Sequence, residues 1–254
     1  LVQRKVAAAE IRERVGAILA TVQLAEYAAR MPHQLSGGQQ RRVGLARALV
    51  VRPKVLLMDE PLSNLDAKLR IDLRRDIRAL QQSLDITTIY VTHDQEEALS
   101  ISDQVCVMHD GVVQQVDTPW ALYNRPANRF VATFVGSNNF LPITATPDGQ
   151  ARLLGQAFDP AAAGRVASLR PEKVVVDAAL DAPGVQVAAT VRQTMFAGRE
   201  LQLTLDVPSH GPIDALVAPS AAMMALKPGA AVTLGLHTRH LLFFTPGDSG
   251  ARLP

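Results

Sequence analysis

Two short apolar runs separated by one long amphipathic stretch constrain this chain more than any other feature. Val55-Leu56-Leu57-Met58 ends in Asp59-Glu60-Pro61, and Thr87 to Val91 follows, rich in β-branched residues. Continuous apolar runs of this length read as strands covered on both faces, the kind found in parallel sheets. Between them Leu69, Leu73, Ile77, Leu80 and Leu84 recur at helical spacing. The front of the chain therefore reads as α/β, a parallel sheet with helices packed on it.

The flanking segments extend that reading. Residues 4 to 30 read as helix, with Ile11, Val15, Ile18, Leu19 and Val22 on its apolar side. Met31-Pro32-His33-Gln34 interrupts it, and Ser36 is a suitable N-cap for a second helix reaching about Val50. A short helix is expected over Gln95 to Ile101, then a strand over Gln104 to Met108. Asp110-Gly111 signals a hairpin into Val112 to Val116. Near Gly136-Ser137-Asn138-Asn139 the pattern changes. Short strands are expected at Val166 to Leu169, Lys173 to Val176, Val185 to Val191, Leu201 to Val207 and Val232 to Leu236. Such spacing suggests a small barrel or sandwich, with residues 139–180 and 185–246 as two faintly similar halves. The expected domains are 1–136, α/β, and 137–254, all-β.

Composition narrows the function classes. A length of 254 residues fits one large domain or two small ones, and 48% hydrophobic with 20% charged residues fits a folded protein. A net charge of +2 supplies no polybasic field for nucleic acid or anionic lipid. Cys106 is the single cysteine, so an internal disulfide and a cysteine-cluster metal site are excluded. No run approaches the roughly 20 apolar residues a membrane helix needs, and no signal peptide is visible. The chain opens on Leu1 rather than Met, which leads us to expect a fragment.

Three clusters carry chemistry. Leu35-Ser36-Gly37-Gly38-Gln39 stands at a helix start, where unpaired amides favour an anion and glycine lets backbone approach a phosphate. Asp59 ends a strand, where a carboxylate can be fixed near magnesium, and Glu60 beside it is placed to orient or deprotonate a water. Thr92-His93-Asp94 closes the next strand, so His93 lies at the same sheet edge. His33, His210, His237 and His240 read as structural.

Taken together these residues resemble ABC ATPases. Pro32-His33-Gln34-Leu35-Ser36-Gly37-Gly38-Gln39-Gln40-Arg41-Arg42-Val43 resembles their signature motif in its importer form. Leu56-Leu57-Met58-Asp59-Glu60-Pro61 is similar to the second nucleotide motif, Ser63-Asn64-Leu65-Asp66 to the D-loop, and His93 to the switch histidine. The run from Asp110 to Val131 and the phrase Leu169-Arg170-Pro171-Glu172 resemble importer ATPases with a C-terminal OB-like regulatory (TOBE) extension, the maltose, polyamine and ferric-ion group. The resemblance implies a P-loop NTPase-like ABC ATPase domain followed by an OB-like barrel, with ATP and Mg2+ as cofactors. It implies phosphate contact by Ser36, Gly37, Gly38 and Gln39, a dimer-interface role for Asp66, magnesium held through water by Asp59, and catalysis by Glu60 and His93. The implied partners are a second ATPase subunit arranged head to tail, transmembrane permease subunits and, indirectly, a periplasmic or lipid-anchored solute-binding protein. The implied location is the cytoplasmic face of the plasma membrane, and the 136–140 junction leans toward polyamine-like substrates.

One family element is missing. Gly-x-x-x-x-Gly-Lys-Ser/Thr holds the β- and γ-phosphates, yet none of the five lysines follows a glycine. The adenine-stacking aromatic and the permease-sensing glutamine have no visible counterpart. We expect an N-terminal truncation of about a hundred residues, no ATP hydrolysis by these residues alone, and poor stability for 1–135 where a sheet edge is unpaired. Two other readings stand beside this one: a non-catalytic interaction or oxyanion-binding protein derived from such a subunit, and a DNA-repair or translation ABC ATPase. The importer-like tail and the near-neutral charge weigh against the second.

Overall fold

The computed structural model describes residues 1–63, 67–84, 86–247 and 250–253. Its internal contacts divide it into two compact units, Leu1–Val105 and Cys106–Pro254. Among the described residues no helix is long and apolar enough to cross a membrane.

In the first unit the expected long helix is shorter, running as α1 over Ala8–Thr21. Gln23 turns left-handed at φ 58°, and the Leu24 amide donates back to the Leu19 carbonyl at 2.8 Å. This is a Schellman ending, with Leu24 buried behind it. Helix α2 spans Gly37–Leu49 and strand β1 spans Val55–Asp59. Helix α3 covers Ala67–Leu84, strand β2 Thr87–Val91 and helix α4 Gln95–Ile101. β1 and β2 pair in parallel, from Val55 opposite Thr87 to Asp59 opposite Val91. Leu56 and Met58 point into a core with Ala46, Leu49, Leu73 and Ile77.

The opposite face of this pair corrects the expectation that both strands are covered on both sides. Leu57 is 72% exposed, and Val55, Ile89 and Val91 are open as well. The physical reason is local. Helices pack on one face alone, and among the described residues no third strand joins β1 and β2.

The chain passes into the second unit at the start of a hairpin of β3, Val105–His109, and β4, Val112–Asp117. Asp110 and Gly111 both take positive φ, 48° and 75°, as a tight hairpin turn of this hand requires. Two six-residue helices that the sequence did not reveal follow, α5 over Pro119–Asn124 and α6 over Arg129–Phe134. Thr118 and Asn128 cap them by accepting from the Ala121 and Val131 amides.

Beyond α6 the chain is strand-rich. Strands β5 (Asn139–Ala145), β6 (Ala151–Leu153), β7 (Gln156–Phe158) and β8 (Val166–Leu169) form most of one five-stranded sheet. Strands β10 (Gly184–Phe196), β11 (Leu201–Val207), β12 (Gly211–Val217) and β13 (Ala231–His237) form most of a second. Each sheet takes its fifth strand from the far side of the sequence. β9, Val174–Val176, pairs with β13, and β14, Leu242–Phe244, pairs with β8. The two expected halves thus exchange a strand each. Leu141, Leu153, Leu203, Leu205, Ile213 and Leu234 fill the core between them. The buried Asn139 side chain joins the sheets, donating to the Asp214 carbonyl at 2.8 Å and accepting from its amide at 2.9 Å.

Arg170 anchors the helical entry of this unit. Its guanidinium, buried over the Tyr123 ring, donates to the carbonyls of Ala132, Gly136, Ser137 and Tyr123 at 2.8 to 3.0 Å. A Cβ on Gly136 would sit 3.2 Å from the Tyr123 ring and 3.3 Å from this guanidinium, which accounts for glycine there. Tyr123 in turn donates to Glu172 at 2.6 Å.

Candidate functional site

The register of β1 and β2 brings their carboxyl ends side by side, and the site follows from that. Asp59 ends β1 and lies exposed opposite Val91. Glu60 then turns left-handed at φ 42° while its amide donates to the Val91 carbonyl at 2.9 Å. Two residues past β2, His93 meets it: Nδ1 of His93 and Oε1 of Glu60 lie 3.0 Å apart. This hydrogen bond, together with the carboxylate charge, raises the His93 pKa. Both side chains remain largely open, His93 at 73% exposed, so the pair is presented outward.

The backbone around His93 is fixed by residues that the sequence reading did not single out. Buried Glu97 accepts from the Tyr90 hydroxyl at 3.0 Å and from the Thr92 hydroxyl at 2.8 Å. Thr92 Oγ1 accepts from the Asp94 amide, and Asp94 Oδ1 accepts from the Glu97 amide, closing a ring around His93. Arg70 and Arg74 both reach Asp94, at 3.0 and 3.2 Å. Burial alone would raise the Asp94 carboxyl, but the Glu97 amide and the two guanidinium groups outweigh it and hold the pKa below its usual value. Burial and the neighbouring Glu97 push the Tyr90 phenol upward, so it stays a donor. The signal that could have found this ring is the Asp94-x-x-Glu97 spacing of a helix N-terminus.

The other expected phosphate residues sit at the start of α2. Ser36 Oγ accepts from the Gln39 amide at 3.3 Å, and the Gln39 side chain accepts from the Ser36 amide at 2.9 Å, a capping box. Gly37 faces open space, since a Cβ there would meet nothing within 4 Å. No crowding among the described residues demands glycine at that position, and of the first-turn amides that of Gln39 is taken by Ser36 while those of Gly37 and Gly38 have no acceptor among the described residues. Helix α2 is tied to the segment after Glu60, because the Arg41 guanidinium donates to the Ser63 carbonyl and the Ser63 hydroxyl donates to that of Glu60. Asp66, expected at the dimer interface, lies outside the described residues.

The exposed Asp59 carboxylate offers hard oxygen of the kind magnesium takes; among the described residues no group of three or more His, Cys, Asp or Glu could hold a metal ion.

Comparison with known proteins then decides the family. An ABC transporter model matches residues 2–63 and a TOBE domain model matches residues 167–244. The sn-glycerol-3-phosphate import ATP-binding protein of Chromohalobacter salexigens is 41% identical over 253 residues, which is 96% of this chain and 67% of that one. The chain belongs to the import ATP-binding subunits of ABC transporters. The spermidine/putrescine import ATP-binding protein of Rubrobacter xylanophilus is 45% identical over 92% of this chain and 65% of its own length. The Fe(3+) ions import ATP-binding protein of Fusobacterium nucleatum is 42% identical over 89% and 64% respectively. Those two import subunits are thus spanned over slightly less than two thirds of their length. The fold is an ABC ATPase domain followed by a strand-rich TOBE domain. The three relatives differ in the solute they are named for, so the family carries no single substrate.

Proposed function

We propose that this chain is the ATP-hydrolysing part of a subunit that energises solute import through an ABC transporter. The observation that carries the reading is the 3.0 Å contact between Glu60 and His93 across the ends of two parallel strands. Glu60 orients or takes the proton from the attacking water, and His93 donates toward the terminal phosphate. Asp59 holds the magnesium through water. Ser36, Gly37, Gly38 and Gln39 contact phosphate from the facing subunit of a head-to-tail dimer, with Asp66 at the interface. When bound, ATP with Mg2+ supplies the phosphoryl group and the charge that the metal offsets. The domains under this reading are 1–136, nucleotide-binding, and 137–254, TOBE. The partners are a second ATPase subunit, membrane permease subunits and, through them, a solute-binding protein, at the cytoplasmic face of the membrane. The solute is of the polyamine class, which the spermidine/putrescine relative favours.

The test is ATP turnover by two proteins. Residues 1–254 alone are expected to show none, because no lysine follows a glycine in the sequence. The same chain preceded by a segment carrying Gly-x-x-x-x-Gly-Lys-Ser/Thr is expected to hydrolyse ATP, and Glu60→Gln in it to lower turnover by about 10²-fold or more while ATP still binds. Turnover that survives Glu60→Gln unchanged removes the catalytic assignment. Uptake assays with radiolabelled spermidine and glycerol phosphate decide the solute.

A further inference from the structure

Helix α3 carries Arg70, Arg74 and Arg78 at intervals of four residues, so the three side chains stand on one face. That face holds α4 at both ends. At its start Arg70 and Arg74 reach the Asp94 carboxylate at 3.0 and 3.2 Å, and the other terminal nitrogen of Arg74 donates to Glu96 at 2.8 Å. At its far end Arg78 donates to the Ile101 carbonyl at 3.0 Å and pairs with Asp103. The two ends differ in setting. Asp103 is 82% exposed, and such a pair adds little beyond local stability. Arg74 is only 11% exposed, and one of its nitrogens lies within 3.3 Å of both Asp94 oxygens.

Asp94 directly follows His93, and what fixes one constrains the other. The Asp94 amide donates to Thr92 Oγ1 at 2.9 Å, and its Oδ1 caps α4 by accepting from the Glu97 amide at 3.0 Å. Capping alone asks only for a side-chain acceptor, which asparagine supplies as well as aspartate. The two guanidinium groups ask for the charge. The His93 ring has no comparable support. Among the described residues Glu60 is its one side-chain hydrogen-bond partner, so the backbone on either side aims it. The contact at Nδ1 also fixes a proton. A carboxylate only accepts, so Nδ1 carries the hydrogen, and Nε2 is left to donate elsewhere when the ring is charged.

We propose that Arg74, acting through Asp94, is a positioning residue for His93, so that helix α3 sets where the imidazole stands against Glu60. This rests on the reading of His93 as the donor toward the terminal phosphate, and it assigns the aim of that donor to a helix that does not touch it. A shift of α3 carries Asp94 with it, and through the shared backbone it turns the His93 ring toward or away from Glu60. Catalytic groups held from behind in this way keep their geometry without contacts of their own.

The experiment reads the His93 ring nitrogens of the 254-residue chain by long-range proton–nitrogen NMR, above the histidine titration, where the neutral ring keeps one proton. The unaltered chain is expected to hold it on Nδ1, against Glu60. Arg74→Gln and Asp94→Asn are each expected to move most of it to Nε2, and the double variant no further than either single one, since both break one link. Asp94→Asn keeps an acceptor at the start of α4, so the helix stays capped and the fold is retained. Arg74→Lys keeps the charge without the planar fork and is expected to restore part of the Nδ1 signal. Arg78→Gln cuts the far end of the same ladder and is expected to leave His93 as it was. A proton that stays on Nδ1 in both Arg74→Gln and Asp94→Asn overturns the proposal, and so does an equal move in Arg78→Gln. No nucleotide enters this readout, so the positioning role and the catalytic assignment, which ATP turnover tests, fail separately.

Discussion

Glu60 and His93 make their pairing testable one proton at a time. The carboxylate raises the His93 pKa above its ordinary value of 6.5, so Glu60→Gln is expected to lower it, read from the His93 imidazole signals across a pH titration. The sign of the stability effect follows. A raised histidine stabilises the folded state fully below the unfolded pKa of about 6.5, and the contribution fades as pH rises through the folded value. Arg170 works in the opposite setting, because burial lowers its pKa and its donors reach four carbonyls. Arg170→Met leaves those acceptors unpaired and is expected to cost about 3 kcal/mol. Arg170→Lys keeps a charge without the planar fork, and about half of that loss is expected. Urea unfolding followed at Tyr123 and Trp120 measures both.

At the scale of elements, strand β1 separates two meanings of an apolar residue. Leu56→Ala empties a packed position and is expected to cost about 2–4 kcal/mol, whereas Leu57→Ala, one residue along and 72% exposed, is expected to stay within about 0.5 kcal/mol. Chemical denaturation of the two variants checks the contrast. The same strand shows what a sequence can reveal. Its existence, its end at Asp59 and its partner at Thr87 to Val91 were legible, because an apolar run closed by Asp-Glu-Pro is a local signal. Its burial was not, since what lies on each face is decided by segments remote in sequence. Helix α4 was expected at about Gln95 to Ile101 and lies there, while α5 and α6, six residues each, are too short to show a helical period. In the candidate site the meeting of Glu60 with His93 followed from motif order. The ring of Glu97, Tyr90 and Thr92 that steadies His93 did not, because it depends on side chains of β2 and α4 facing each other. The strand exchange between the sheets was equally hidden, since three-residue strands such as β9 and β14 carry no address for their partners.

For the whole molecule the two units differ in how well their hydrogen bonds are protected. β10 is flanked by β11 and β13 through long antiparallel ladders over a full core, while among the described residues β1 pairs with β2 alone and leaves a face open. Native-state hydrogen exchange is expected to find the slowest amides in β10 and β11 and much faster exchange in β1 and β2. Equal protection in the two regions would contradict this. The exchanged strands also set an order of events during synthesis. The sheet that begins at Asn139 receives β14 only when Leu242–Phe244 arrive, and that strand is further bridged through Phe244 to Arg252. A ribosome must therefore release almost the entire tail before this sheet can close. Until then β8 offers an unpaired edge to any neighbouring nascent chain.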